Sequence, residues 1–310
     1  MSAPDQDPGG VVAGPVVAAV DIGGTKLATA VVDGSGTIVS AERAPTEGAD
    51  AEALFDHLAA LLDRVVAGAR AQGVQPDVVG VGCGGPMSAG GVTVSPLNIP
   101  QWRGFPLRAR LAERYDLPTF VDNDAKALAL GEGWLGAAAG WTDYLAMVVS
   151  TGVGGGIVLD GRLLDGASGN AGHIGHLIVE PQGRACACGA RGCLEAEVSG
   201  TAIAAITGRP AAEAPHEVRV RAGRLVGRAV ASVANLLDLR LAVVAGSVAL
   251  GYGADFFDAA QDEADRLARL EYARGLRIVP AGSGADGPIL GAAVVGRAGL
   301  AAGPPVRSTP

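Results

Sequence analysis

Val16-Val17-Ala18-Ala19-Val20-Asp21-Ile22-Gly23-Gly24-Thr25-Lys26-Leu27 is an apolar run that breaks at paired glycines and then resumes. It reads as a buried strand, a tight turn and a second strand through Val32, with Asp33-Gly34 turning into a third strand near Ile38. The pattern returns later. Tyr144 to Ser150 is apolar and ends in Thr151-Gly152-Val153-Gly154-Gly155-Gly156, Ile157 to Leu159 continues it, and Asp160-Gly161 turns the chain back. Both halves thus open with strand, glycine turn, strand and hairpin. Between and after these openings, helical spacing marks Ala51–Ala71, Leu107–Tyr115, Ala125–Leu135, Val218–Leu237, Asp255–Leu270 and Ile289–Leu300. Strands are expected at Val78–Val81, Thr119–Val121 and Leu241–Ala245. The class is α/β, in two related domains with a cleft between them. The boundary is placed near Gly140, giving domains at 15–139 and 140–302 and disordered tails at 1–14 and 303–310.

With 49% hydrophobic and 18% charged residues, the 310-residue chain can bury a large core. A net charge of -8 argues against a general nucleic-acid binder. No apolar run reaches the length of a membrane span, and the polar start of the chain lacks the features of a secretory signal. Three of the four cysteines cluster, which points to a reducing compartment and a metal rather than a disulfide framework.

Asp21-Ile22-Gly23-Gly24-Thr25-Lys26 lets backbone N–H groups face an anion. In that role Asp21 would orient a hydrated Mg²⁺, and Thr25 and Lys26 would meet phosphate oxygens. The spacing is neither that of a Walker A loop nor that of a dinucleotide fold. Taken alone, an ordinary hairpin explains it as well. The turn at Thr151 and Gly152 carries the same meaning, and two such turns can close on one nucleotide from opposite walls.

Val121-Asp122-Asn123-Asp124 ends a strand just before a helix. It serves either as a helix cap or as the site where one carboxylate takes the proton of an attacking hydroxyl. Asn123 and Asn98 are amides suited to polyol recognition. Trp102 offers an apolar face, although a core position is the simpler reading. His176, Cys186, Cys188 and Cys193 follow the spacing H-x9-C-x-C-x4-C, which completes a closed tetrahedral zinc shell of structural type. Cys83 stands outside it.

Together DIGGTK at 21–26, VDND at 121–124, STGVGGG at 150–156 and the segment from Gly172 to Glu195 resemble the ROK family of repressors and sugar kinases. AGSVALG at 245–251 stands in the place of that family's late nucleotide segment and brings in Gly246. The resemblance implies an actin-like, hexokinase-type fold. It also implies a kinase acting on a hexose at its 6-hydroxyl with ATP, Mg²⁺ and structural Zn²⁺, in a cytoplasmic homodimer or homotetramer. It makes Asp124 the catalytic base and turns Asn98, Asn123, His176 and Glu195 toward the sugar, with His176 also holding zinc. His173 stands where glucose-acting relatives usually carry Glu, and the same AGHIGH string occurs in bacterial N-acetylmannosamine kinases, so both sugars stay open. Thr207–Glu217 is shorter than the family's usual insertion, which leaves the donor pocket open as well. The competing readings are a sugar sensor without a kinase role, which would be expected to lose the base that Asp124 supplies, and a sugar-responsive repressor, whose helix-turn-helix domain finds no room before a first strand at Val16.

Overall fold

The computed structural model describes residues 14–302; the expected tails, apart from Gly14, lie outside the described residues. The first half holds β1 (Val17–Ile22), β2 (Lys26–Val32), β3 (Ile38–Pro45), β4 (Val78–Cys83) and β5 (Thr119–Asn123), in the spatial order β3-β2-β1-β4-β5. The second holds β6 (Tyr144–Val149), β7 (Val153–Leu159), β8 (Arg162–Leu163), β9 (Leu241–Ala245) and β10 (Arg277–Pro280), in the order β10-β9-β6-β7-β8. Read from the hairpin edge, the two sheets have one topology. An antiparallel three-strand meander is followed by two strands parallel to the first. The repeat seen at the start of each half therefore extends through the whole sheet. β10, which completes the match, did not stand out in the sequence because it has only four residues, two of them charged or proline.

Helices cover both faces of both sheets. α1 (Ala51–Arg70) begins at Asp50, whose carboxylate accepts the Ala53 N–H at 2.8 Å. α1 lays Leu54, Leu58, Leu61, Leu62 and Val65 on one face of the first sheet, together with Leu107 and Leu111 of α2 (Leu107–Tyr115). Each fully buried side chain of this kind contributes about 1.5–3 kcal/mol. Trp102 is fully buried there, stacked on Phe105 at 4.8 Å, so it is a core residue. α6 (His216–Leu237) and α8 (Ala254–Leu267) cover the outer face of the second sheet. α8 ends three residues earlier than its apolar spacing suggested. Three short helices, α4 (Leu194–Val198), α5 (Gly200–Thr207) and α7 (Ser247–Tyr252), are too brief for periodicity to reveal.

Two helices fill the space between the sheets. α3 (Asp124–Leu135) lies on the second sheet through Ala129, beside Tyr144, Ala146 and Val158. α9 (Gly287–Ala302), although last in the chain, packs Ile289, Ala292 and Ala293 on the first sheet. Residues 154–156, expected as part of the glycine-rich turn, are instead the body of β7. A Cβ on Gly154 would lie 2.9 Å from Ala125 Cβ, and one on Gly156 would lie 2.8 Å from Ala129 Cβ and 2.9 Å from Lys126 Cα, so these two glycines let α3 lie flat on the strand, while Gly155 faces Ile174 and the Gly172 carbonyl on the other side. Glu132, fully buried on α3, accepts the N–H groups of Ala137, Gly282 and Ser283 at 2.8–3.0 Å. It thereby ties together the segment that leaves α3 and the segment that leads to α9. No helix among the described residues is long and apolar enough to cross a membrane.

Candidate active site and metal centre

The C-terminal ends of the central strands bring the chemistry together. β1 ends at Asp21-Ile22, and the turn to β2 is closed by Gly23 N–H donating to the Lys26 carbonyl at 3.0 Å. Gly24, Thr25 and Lys26 are exposed on this turn. Gly24 packs directly on Asn98: a methyl there would meet Asn98 Cβ at 2.5 Å, so only glycine lets the turn and the amide sit side by side. Asn98 itself is exposed.

Asp124 begins α3 where β5 ends. Asn123 Oδ1 accepts the Ala125 N–H at 3.0 Å, so the capping role is real. The same residue keeps its amide nitrogen free of the cap: a Cβ on Gly85 would lie 3.3 Å from Asn123 Nδ2. Asp124 Oδ1 also accepts the Ala125 N–H, at 2.8 Å, which leaves Oδ2 for other work. Asp21 and Asp124 flank Gly82. A Cβ on that glycine would lie 3.7 Å from both Asp21 Oδ1 and Asp124 Cα. Burial raises the pKa of Asp124, while the Ala125 N–H and nearby His173 oppose the shift. Burial, and then the charge of Asp124, push Asp21 up to about 7 against the pull of Lys26 and Arg43. The two carboxylates form one electrostatic unit that resists carrying two negative charges.

The second sheet carries the other glycine turn. Ser150 N–H donates to the Gly152 carbonyl at 2.9 Å, closing Thr151-Gly152 between β6 and β7. Gly246 follows β9 with φ at 100° and lies against Val149 of β6, and the next residue, Ser247, hydrogen-bonds Ser150 between hydroxyls at 3.0 Å. Thr201 donates its hydroxyl to the Thr151 carbonyl at 3.0 Å. Sequence reasoning did not single out Ser247 or Thr201, since isolated hydroxyl residues carry no spacing signal.

The sulfur and imidazole cluster sits beside this wall. The ligand atoms of His176, Cys186, Cys188 and Cys193 all lie within 4.8 Å of one another. Cys188 Sγ is 3.7 Å from Cys193 Sγ, and Cys186 Sγ is 3.8 Å from His176 Nδ1. All three thiols are free. The spacings suit a tetrahedron with zinc–ligand bonds of about 2.0–2.3 Å and are far longer than a disulfide of about 2.05 Å. Burial and the neighbouring sulfurs push Cys193 up to about 12, so its thiolate needs a nearby cation to compensate it. The donor set fits Zn²⁺, with Nδ1 of His176 turned to the sulfurs and Nε2 left over. Cys83 is fully buried in the first-lobe core, away from the cluster.

Two residues bind the metal loop to the rest. Cys193 leads into α4, where Glu195 Oε2 accepts the Val153 N–H at 2.9 Å. His173 is exposed, with its ring centroid 6.2 Å from that of His176. Its Nδ1 lies 2.9 Å from the Asn170 carbonyl oxygen. A carbonyl can only accept, so Nδ1 carries the proton and, in the neutral ring, Nε2 presents a bare lone pair.

Residues 17–298 match the model of the ROK family. Among curated relatives, a glucokinase of Halalkalibacterium halodurans is 43% identical over 193 residues, which cover 60% of this chain and 57% of that one. This chain therefore spans a little over half the length of that relative. An N-acetylmannosamine kinase of Escherichia fergusonii is 38% identical over 251 residues, covering 76% and 84%. Among solved structures, a ROK family glucokinase from Streptomyces griseus in complex with glucose and AMPPNP is 31% identical with a TM-score of 0.75, over 92% of this chain and all of that one.

Proposed function

The chain belongs to the ROK family, and from that premise we propose that it is a sugar kinase that transfers the γ-phosphoryl group of ATP to the 6-hydroxyl of a hexose. The observation that carries the reading is the placement of Asp124. It is a buried carboxylate with raised pKa, one oxygen uncommitted, set beside Asp21 at the foot of one glycine turn and within electrostatic reach of His173. A carboxylate so placed accepts the proton of the hydroxyl while the oxygen attacks phosphorus. Asn98, Asn123, His173, His176 and Glu195 orient the sugar. Gly23, Gly24, Thr25 and Lys26 from one side, and Thr151, Gly152 and Gly246 from the other, hold the nucleotide phosphates. Mg²⁺, when bound, neutralises charge on the transferring group, and Asp21 is the residue suited to orient its waters. His176, Cys186, Cys188 and Cys193 would hold Zn²⁺ in a structural role, and a His176 ring held through Nδ1 would keep Nε2 available to the sugar.

The two lobes divide near Gly140, with α9 returning to the first, and close on the sugar to exclude water. The protein works in the cytoplasm as a homodimer or homotetramer, an inference from the family alone that light scattering checks. The deciding experiment is ADP release across a panel of hexoses and acetamido-hexoses. Sugar-dependent release with 6-phosphate product supports the kinase. Tight sugar binding with no release on any member supports the sensor or regulator reading.

A further inference from the structure

The loop from Leu164 to His173 is composed almost wholly of small and polar residues, and Asp165, Gly166, Ala167 and Ser168 are exposed. Such a segment has little apolar surface with which to hold a shape. It is nevertheless closed on itself, with Ala171 N–H donating to the Asp165 carbonyl at 2.9 Å and Asn170 Nδ2 donating to the Ser168 carbonyl at 3.1 Å. It approaches the first lobe at Gly169, where a Cβ would lie 3.8 Å from Ala89 Cα. Its last carbonyl before the Ala171-Gly172 link is that of Asn170, which receives the His173 Nδ1 proton.

The loop is gripped from α3 by Lys126. The Lys126 ammonium lies 2.6 Å from Asp165 Oδ1, 3.3 Å from the Gly169 carbonyl and 3.1 Å from Asp122 Oδ1. Three donors meet three acceptors, so the group is saturated. The side chain is 3% exposed, whereas that of Asp165 is 69% exposed. Burial favours loss of the lysine proton, but Asp122 and Asp165 overcome it and the pKa is raised, so the ammonium is charged throughout the physiological range. A simpler role, as a tie between α3 and the end of β5 through Asp122, accounts for only one of the three bonds. The other two go to a loop that contributes nothing to the core.

We propose that Lys126 is a positioning residue for sugar recognition. By holding Asp165 and Gly169 it fixes the Asn170 carbonyl, and through that carbonyl it sets the tautomer and orientation of the His173 ring. Asp122 supplies the counter-charge, so the strand end that carries Asn123 and Asp124 and the loop that carries His173 are joined through one ammonium group. The role rests on the sugar-kinase reading above, and its first consequence, an ordered loop, can be measured without any activity.

The test uses Lys126→Met, Lys126→Arg and Asp165→Ala in the full chain. Asp165 is exposed, so its variant keeps the fold even if Lys126→Met does not. Deuterium exchange in sugar-free protein should rise across residues 165–171 in Lys126→Met and Asp165→Ala, with Lys126→Arg close to wild type. In steady-state assays both should raise the sugar KM by about tenfold, the loss expected when one charge-assisted contact goes, with kcat and the ATP KM within about twofold. In a His173→Ala background, Lys126→Met should add nothing further to the sugar KM, because the two act in series. Unchanged exchange, a fall in kcat with unchanged sugar KM, or effects that add fully in the His173→Ala background would each overturn the proposal. A wild-type protein that turns over no sugar removes the kinase reading together with this role. Wild-type activity with a silent Lys126→Met and Asp165→Ala removes this role alone.

Discussion

The carboxylate of Glu195 accepts the backbone N–H of Val153 at 2.9 Å, so the helix that follows the metal loop is fastened to the glycine turn of the second lobe. One residue, read from sequence as a sugar contact, therefore also shapes the wall assigned to phosphate. Glu195→Ala should raise the KM for sugar and for ATP together, each by about tenfold or more, since a hydrogen bond to a charged group is worth about 1.5–3 kcal/mol. Glu195→Gln, which keeps a carbonyl acceptor, should lose less. A rise confined to the sugar KM would show that the Val153 bond does not couple the two sites.

Asp124→Asn is nearly isosteric, and an amide oxygen can still accept the Ala125 N–H that Asp124 Oδ1 accepts now. The fold and sugar binding should survive while turnover falls by about 10²-fold or more, the usual worth of a positioned general base. Turnover near that of wild type, measured alongside sugar affinity, would take the base role away from this residue.

Asp21 offers a pH signature. Its pKa in the folded chain is raised from 3.8 to about 7, first by burial and then by Asp124. The folded state thus holds a proton that the unfolded chain releases in the ordinary carboxylate range. The associated stability is fully present below about pH 4 and is lost as pH rises through about 7, a loss on the order of a few kcal/mol. For nucleotide-free protein, the melting temperature of Asp21→Asn relative to wild type should therefore climb between pH 5 and pH 8. A difference that stays flat over that range would show that Asp21 does not hold the proton.

Much of this site was visible in the sequence because its parts are local. The glycine turns, the Asn123–Asp124 pair and the H-x9-C-x-C-x4-C spacing each span a short stretch, and the strand-turn-strand openings announced the duplication. What escaped was non-local or short. Lys126 looks like an ordinary helix-surface lysine until Asp165, 39 residues on, is folded against it. Thr201 gains meaning only when Thr151 lies beside it. The Gly154–Gly156 run reads as a turn because glycine weakens strand propensity, and only the packing on β7, with α3 against Gly154 and Gly156 and Ile174 against Gly155, explains why no larger residue fits. β10, with four residues, has no periodicity to read.

The metal cluster predicts its own dependence. Cys188 is exposed while Cys186 and Cys193 are buried, so Cys188→Ser removes a ligand without opening a cavity. Purified wild-type protein should carry about one zinc per chain by elemental analysis. Cys188→Ser should lose it, melt at a lower temperature and bind sugar less tightly, because His176 and Glu195 flank the loop that loosens. Fully active wild-type protein without zinc would refute the structural role.

The choice between sugars is predicted to turn on His173. With Nδ1–H committed to the Asn170 carbonyl, the neutral ring offers its substrate a single acceptor, Nε2. A glutamate in its place would offer two acceptor oxygens, enough for two adjacent hydroxyls. One acceptor suits a substrate that presents one donor at this point, as the N–H of a 2-acetamido group does. The carboxylate would in addition repel the acetamido carbonyl oxygen. Once the bound sugar covers the His173 ring, a polar partner left unpaired by the wrong sugar costs about 1–3 kcal/mol, roughly ten- to a hundred-fold in kcat/KM. Wild type should therefore prefer N-acetylmannosamine, or another 2-acetamido hexose, to glucose, and His173→Glu should shift the kcat/KM ratio toward glucose. The competing view gives His173 only a supporting role for the metal loop and makes glucose the substrate. It prevails if wild type already favours glucose, or if His173→Glu lowers kcat/KM equally for every sugar.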